Sequence, residues 1–234
     1  HNLKNTELIL VEDTLKTLQQ LANKHRKKIS IPIVAITGTN GKTTTKELLS
    51  HIISSELITC STKGNFNNHI GVPLTLLSIT NKHQIAIIEL GANHVGEIDF
   101  LCGIANPTHG IITNIGEAHL KGFGSVKNIL KTKTELYNYL KKNNGVIFVD
   151  EKNKKLVDQV NTYDRKHIYS SSESSQKEKI NCLYFKYDEF IKVLINNIEV
   201  PTKITGDYNA NNIAAAVQIA KYFGAKRIVL LGTD

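Results

Sequence analysis

Gly38, Gly41, Lys42 and Thr43 stand at G-x-x-G-K-T spacing within Thr37-Gly38-Thr39-Asn40-Gly41-Lys42-Thr43-Thr44. Two glycines let a backbone turn tightly and aim successive N–H groups at one anion. A lysine beside them can reach the β- and γ-phosphates of a nucleotide, and the next hydroxyl can ligate Mg²⁺. The general phosphate-loop pattern, G-x-x-x-x-G-K-[ST], needs glycine at position 36, where this chain has Ile36. The short spacing therefore departs from the pattern, and an ordinary glycine turn before a helix is the plain alternative. Glu89 is the second candidate. It interrupts the apolar run 85–90, and a carboxylate in a buried strand is costly unless it meets a cation. Mg²⁺ shared with Thr43 and phosphate would satisfy it, as would a structural salt bridge. His119 and Lys133 come third. Read alone, a single histidine suits a structural position and a helix lysine suits a solvated face.

The elements that must position these residues follow from periodicity. Residues 8–26 place Leu15, Leu18, Leu21 and Ala22 on one helical face. The apolar run 31–36 reads as a buried strand leading into the glycine loop, and 45–53 as the helix after it. Strands are expected at 57–61, 85–90, 109–114 and 145–149. Helices are expected from residue 74 and over 96–105 and 125–140, with a polar loop over 64–73. Strands that are apolar throughout and alternate with helices indicate a parallel sheet covered on both faces. The loops after its strands then lie along one edge, where ligands of open α/β sheets bind. Beyond about residue 165 the pattern changes. A Ser/Glu/Lys-rich loop spans 170–179, and short antiparallel strands are expected over 182–187, 190–195 and 198–204, with Asn196 and Asn197 in a hairpin turn. An alanine-rich helix runs from 206 to about 223, and 227–231 is strand-like. The expected fold is α/β: a mostly parallel phosphate-loop sheet with helices on both faces, plus a small antiparallel subsheet.

A chain of 234 residues holds one such domain or two small ones with a sizeable core. The net charge of +8 invites nucleic acid, but the lysines are scattered or in doublets such as Lys27-Lys28, with no basic run interleaved with aromatics. Nucleotides and anionic small substrates suit the charge, and no nucleic-acid partner is expected. No apolar run is long enough to span a membrane, and no signal-peptide pattern is present. Cys60, Cys102 and Cys182 lack metal-ligand spacing and read as reduced thiols of a cytoplasmic protein.

Several segments, in order, resemble the Mur ligases. The loop 38–44 resembles that family's phosphate loop, which is shorter than the general pattern. Segments 64–77, 88–98 and 113–125 and the lead-in helix from Val11 to Ala22 are similar to the branch that joins D-Ala-D-Ala to UDP-MurNAc-tripeptide. The similarity extends over roughly residues 8–224.

The resemblance implies roles by position. Gly38, Thr39, Asn40, Gly41, Lys42, Thr43 and Thr44 would bind ATP, with Lys42 on its phosphates and Thr43 on Mg²⁺. Glu89 and His119 match metal ligands. Lys133 matches a lysine that the family carbamylates with CO₂, which turns a cation into a carboxylate-like ligand. Lys42, Lys133 and His119 would thus be the catalytic set. Asn209 and Asn212 match a G-x-x-N-x-x-N segment that contacts adenine; without the resemblance they read as a helix cap. Asn65, Asn67, Asn68 and His69 would face the UDP-sugar-peptide, or form a simple turn. The implied reaction is ATP-dependent amide formation through an acyl phosphate, by a monomer. The implied layout is a lead-in helix and linker over 1–29, the central ATPase domain over 30–224 and a terminal segment over 225–234. The family's UDP-binding and C-terminal domains are expected outside this chain, leaving it inactive alone. A folylpolyglutamate synthase-like or cyanophycin-type ligase and a non-catalytic nucleotide-binding module are the alternatives.

Overall fold

Five successive buried residues form strand β1, Ile33–Thr37. Its alternate side chains serve two cores: Val34 and Ile36 point into one, Ile33 and Ala35 into the other. A strand of this kind must be central, because both of its faces require cover. A computed structural model describes residues 8–116, 125–170, 184–187, 190–195 and 198–226, and it places β1 third in a six-stranded parallel sheet.

In chain order the elements are α1 (Thr14–Lys27), β1, α2 (Lys42–Ser54), β2 (Thr59–Ser61), α3 (Gly71–Leu77), β3 (Ile85–Glu89), α4 (Glu97–Ala105) and β4 (His109–Ile112). Then come α5 (Val126–Lys142), β5 (Val146–Asp150), α6 (Lys154–Val160), β6 (Lys166–Tyr169), β7 (Tyr184–Tyr187), β8 (Ile191–Ile195), β9 (Ile198–Pro201) and α7 (Tyr208–Tyr222). The sheet order is β2-β3-β1-β4-β5-β6, and β7-β8-β9 form a separate antiparallel sheet. The predicted α/β class and antiparallel subsheet are both present.

Two elements escaped the sequence pattern. The parallel sheet continues through α6 and β6, although the change was expected near residue 165. Helix α6 has only seven residues, and β6 is an edge strand exposed over His167 and Ile168. Neither carries the apolar run that marks the inner strands. The lead-in helix begins at Thr14, not residue 8, because Asp13 caps it by accepting from Lys16 N at 2.9 Å. The loop expected over 170–179, the turn at Asn196-Asn197, Cys182 and the run 227–231 lie wholly or mainly outside the described residues.

One core is filled by α2 and the alanine-rich α7, whose small side chains allow close approach to α2. The other is filled by α1 and α3 to α6. Buried Arg26 joins α1 to the C-terminal end of α4: its guanidinium donates to the carbonyls of Ala105, Asn106, Ile29 and Ile31. A cation at a helix C-terminus is favoured by the helix dipole. Among the described residues no helix is long and apolar enough to cross a membrane, and Cys60 and Cys102 are buried free thiols.

At the opposite edge from the glycine loop, His109 opens β4 among the rings of Phe223 at 4.9 Å and Tyr222 at 5.4 Å. Burial, reinforced by the charges of Arg165 and His167, pushes its pKa from 6.5 down to about 4. The folded form therefore binds fewer protons than the unfolded form between these values. Stability should be fully present above pH 6.5 and fall as pH drops toward 4. His109→Gln should flatten that dependence by up to about 3 kcal/mol, read from urea midpoints across the pH range.

Candidate active site

Strand β1 pairs with β3 on one side and β4 on the other, both parallel. The loops after these three strands therefore meet at one edge. Gly38 leaves β1 with φ 148°, and a Cβ there would lie 2.0 Å from Thr113 Oγ1. Gly41 has φ 77° and precedes α2; a Cβ there would lie 2.3 Å from Asn212 Oδ1. Both positions favour glycine, through a positive φ and through the side chain that packs against each.

The segment after β4 braces the loop. Thr39 N donates to Asn114 O at 3.1 Å, and Asn40 N to Asn114 Oδ1 at 3.0 Å. Thr113 Oγ1 donates to Asn40 O at 2.6 Å, and Gly116 N to Thr39 Oγ1 at 2.9 Å. Sequence reasoning assigned Thr113, Asn114 and Gly116 no individual role. Their only signal was membership of the segment 113–125. Helix α2 starts at Lys42 with no side-chain cap. Its first N–H groups, with Thr43 and Thr44 in that turn, have no intrahelical partner and form an anion-binding end. Lys42 Nζ donates to Gly38 O and Thr39 O, each at 3.0 Å. Burial lowers its pKa, and the charge of Glu89 partly opposes that shift.

Glu89 ends β3 and is 1% exposed. Oε2 accepts from Thr43 Oγ1 at 3.0 Å, and Oε1 accepts from Asn67 Nδ2 at 2.8 Å. Its backbone N donates to Thr62 Oγ1 at 3.0 Å. Thr62 is itself held by the fully buried Lys46, whose Nζ donates to its carbonyl at 2.8 Å. Lys133 lies on α5, 3% exposed. Burial, reinforced by the charge of Lys42 and partly offset by Glu135 and Glu97, brings its pKa down to about 8. Glu135 also caps α4 from α5, accepting from Gly96 N at 2.7 Å and Asp99 N at 3.0 Å. Lys42, Thr43, Glu89 and Lys133 thus come together. His119 lies outside the described residues, among which no group of three or more His, Cys, Asp or Glu forms a metal cluster.

A cavity of about 570 Å³ opens beside Lys42, lined by Asn67, Asn68, His69, Gly91, Asn93, Glu97 and Phe100 among others. Asn65 is not in its wall; its carbonyl accepts from Asn67 N at 2.7 Å. Asn67 and Asn68 also have structural work. Asn67 holds Glu89, and Asn68 Oδ1 caps α3 by accepting from Ile70 N at 3.0 Å and Gly71 N at 2.9 Å.

Asn212 is 4% exposed, and both ends of its amide are engaged. Oδ1 accepts from Thr45 Oγ1 at 3.2 Å, and Nδ2 donates to Asn209 Oδ1 at 2.9 Å. Asn209 Nδ2 donates to Thr205 O at 2.8 Å. Asn212 is therefore a strut between α7 and α2 in this structure, and neither asparagine is the N-cap, which is Asp207. The partly buried Asn209 is the more accessible of the two.

Fold and site together define an α/β domain of the phosphate-loop type, with a buried carboxylate and a buried lysine beside the loop. The sequence matches the Mur ligase middle domain over residues 36–220, and the chain belongs to that family. It is 37% identical over 226 residues to the UDP-N-acetylmuramoyl-tripeptide–D-alanyl-D-alanine ligase of Bacillus subtilis, covering 94% of this chain and 48% of that protein. Its fold matches UDP-N-acetylmuramoylalanyl-D-glutamyl-2,6-diaminopimelate–D-alanyl-D-alanyl ligase from Acinetobacter baumannii with a TM-score of 0.76 at 32% identity, over 94% of this chain and 50% of that one. It also matches the MurF ligase from Thermotoga maritima in complex with ADP, with a TM-score of 0.79 at 27% identity, over 96% and 53% of the two chains. The chain spans about half the length of the curated relatives it matches.

The Asn212 strut has a measurable energy. Asn212→Ala removes partners from the Thr45 hydroxyl and the Asn209 amide and should destabilise the fold by about 1–3 kcal/mol. A double-mutant cycle with Thr45→Val, followed by urea denaturation, should show coupling of about 0.5 kcal/mol or more. Additive effects would remove the strut.

Proposed function

We propose that this chain is the ATP-binding part of a ligase that joins D-Ala-D-Ala to UDP-MurNAc-tripeptide and releases ADP and phosphate. The observation that carries this reading is the convergence of Lys42, Thr43, Glu89 and Lys133 beside a cavity at the sheet's ligand-binding edge. The Acinetobacter relative is named for a peptide with a glutamyl residue followed by a diamino acid. That is the acyl-substrate class proposed here.

The substrate's terminal carboxylate attacks the γ-phosphorus, the bond from that phosphorus to the bridging oxygen breaks, and ADP leaves. The amine of D-Ala-D-Ala then attacks the acyl phosphate, and phosphate leaves through a tetrahedral intermediate. The chain's contribution is position and charge. The loop N–H groups and the end of α2 hold the phosphate oxygens, and Lys42 turns from the loop carbonyls to the β- and γ-phosphates. Asn209 is the residue proposed to meet adenine, with Asn212 supporting it. Asn67, Asn68 and His69 border the acyl substrate.

The Thr43 hydroxyl and the Glu89 carboxylate are adjacent hard-oxygen donors, a chemistry that fits Mg²⁺. When bound, Mg²⁺ would neutralise charge on the transferring phosphoryl group. The resemblance adds His119 to that donor set. A pKa of about 8 gives Lys133 a sizeable neutral-amine fraction near neutral pH. The neutral amine is the form that adds to CO₂, losing a proton to become a carbamate with oxygen donors.

The test is phosphate release by the full-length protein with ATP, UDP-MurNAc-tripeptide and D-Ala-D-Ala. Lys42→Ala and Glu89→Gln should each lower kcat by about 100-fold or more. Lys133→Arg keeps a cation but cannot form the carbamate, so it should lose as much activity as Lys133→Ala. An active Lys133→Arg variant would exclude the carbamate. The 234-residue chain by itself should bind Mg·ATP weakly and form no amide product.

A further inference from the structure

Lys46, in the second turn of α2, has no exposed surface. Lysines are almost never fully buried unless they are paired. Its Nζ lies 2.6 Å from Glu47 Oε1 and donates to the Thr62 carbonyl at 2.8 Å. Neither nucleotide nor substrate binding, as described above, calls for this ammonium.

The edge of the sheet shows what the contact does. β2 and β3 pair in parallel with Ser61 beside Ile87, and Thr62 N extends the ladder by donating to Ile87 O at 3.0 Å. The next rung of a regular parallel ladder would run from Glu89 N to the Thr62 carbonyl. Here that carbonyl accepts from Lys46 instead, and Glu89 N donates to the Thr62 hydroxyl oxygen at 3.0 Å. The regular ladder thus stops one rung early, at the residue whose carboxylate meets α2.

The same stripe of α2 carries the partner of that carboxylate. Residues 43, 46 and 50 lie on one helical face. Each meets the β2–β3 edge: Thr43 Oγ1 donates to Glu89 Oε2 at 3.0 Å, Lys46 to Thr62, and Ser50 Oγ to Ser61 Oγ at 3.3 Å. Thr43 and Lys46 are only about 4.5 Å apart along the helix axis. The helix therefore fixes the two together, and Lys46, through Thr62, fixes Glu89 to the same frame. We propose that Lys46 is a positioning residue. It holds the Glu89 carboxylate against the Thr43 hydroxyl in the placement that a divalent cation on the nucleotide phosphates requires. This rests on the ligase reading above, in which those two oxygens are metal donors.

Without the ammonium, the Thr62 carbonyl can return to the Glu89 N–H. The ladder then gains its missing rung, and the end of β3 takes up regular strand geometry, drawing the Glu89 carboxylate away from Thr43. Thr62→Val forces the same switch from the other side, by removing the hydroxyl acceptor. Lys46→Met removes the ammonium and keeps a side chain of similar shape.

The experiment measures binding of a non-hydrolysable ATP analogue to the full-length protein by calorimetry, with and without Mg²⁺, alongside phosphate release. The parent should bind the analogue about tenfold or more tightly with Mg²⁺ than without, and Lys46→Met and Thr62→Val should each bring that ratio below about twofold. Affinity without Mg²⁺ and the KM for the tripeptide should stay within about twofold of the parent, while kcat falls by about tenfold or more. The double variant should be no worse than Lys46→Met, because both changes break one link. Variants that keep the parent's response to Mg²⁺, or that lose affinity equally with and without it, would overturn the positioning role and leave the ligase reading intact. If Lys46→Met does not fold, Thr62→Val decides between these outcomes. A parent that binds the analogue no better with Mg²⁺ would remove the metal from the ligase reading, and the positioning role with it. A parent that binds no nucleotide would overturn both readings.

Discussion

A carboxylate buried in the middle of a sheet edge is the constraint from which the site is built. Glu89 is almost wholly removed from water, and an ionised carboxyl group there is tolerable only if its oxygens are engaged. The partners come from separate elements: a hydroxyl from the first turn of α2, an amide from the loop before α3, and a threonine after β2 that holds the backbone. Each partner adds its own requirement. For Asn67 to reach Glu89, its amide must fill the space of a Cβ at position 91, which is glycine; such a Cβ would lie 2.7 Å from Asn67 Oδ1. Thr62 in turn depends on a lysine ammonium fully buried under α2. The fold at this edge is largely the means of keeping one negative charge in place.

The cations form the other half of the arrangement. Lys42 and Lys133 are both drawn below their ordinary pKa by burial, and the charge of Lys42 adds to the effect at Lys133. Two such lysines next to the positive end of α2 give this edge a field that favours anions. Glu135 moderates this from α5, where it also caps the start of α4. The edge that carries Lys133 and the helix that borders the neighbouring cavity thus share one structural carboxylate.

What the sequence reveals and what it conceals follow physical lines. β1 and β3 were readable because a strand covered on both faces must be continuously apolar, and Glu89 stood out against that background. Lys42 and Thr43 stood out because they follow two glycines at G-x-x-G-K-T spacing, a local pattern that the chain itself displays. β6 was hidden, since an exposed edge strand has no such run. Thr113 and Asn114 were hidden for a different reason. They brace the loop through contacts that exist only once β4 lies beside β1. Asn212 shows the limit from the other direction: its side chain is a buried strut, a role set by a residue far away in the chain and legible only in three dimensions.

That distant contact has a consequence for how the protein acquires its function. The missing Cβ of Gly41 and the amide of Asn212 occupy the same space, so the final shape of the nucleotide loop depends on a helix formed near the other end of the described chain. Contacts between such distant segments form late, after the entropy of closing the intervening chain has been overcome. The glycine motif and the side chain that fits against it lie far apart in the sequence and meet only in the folded protein.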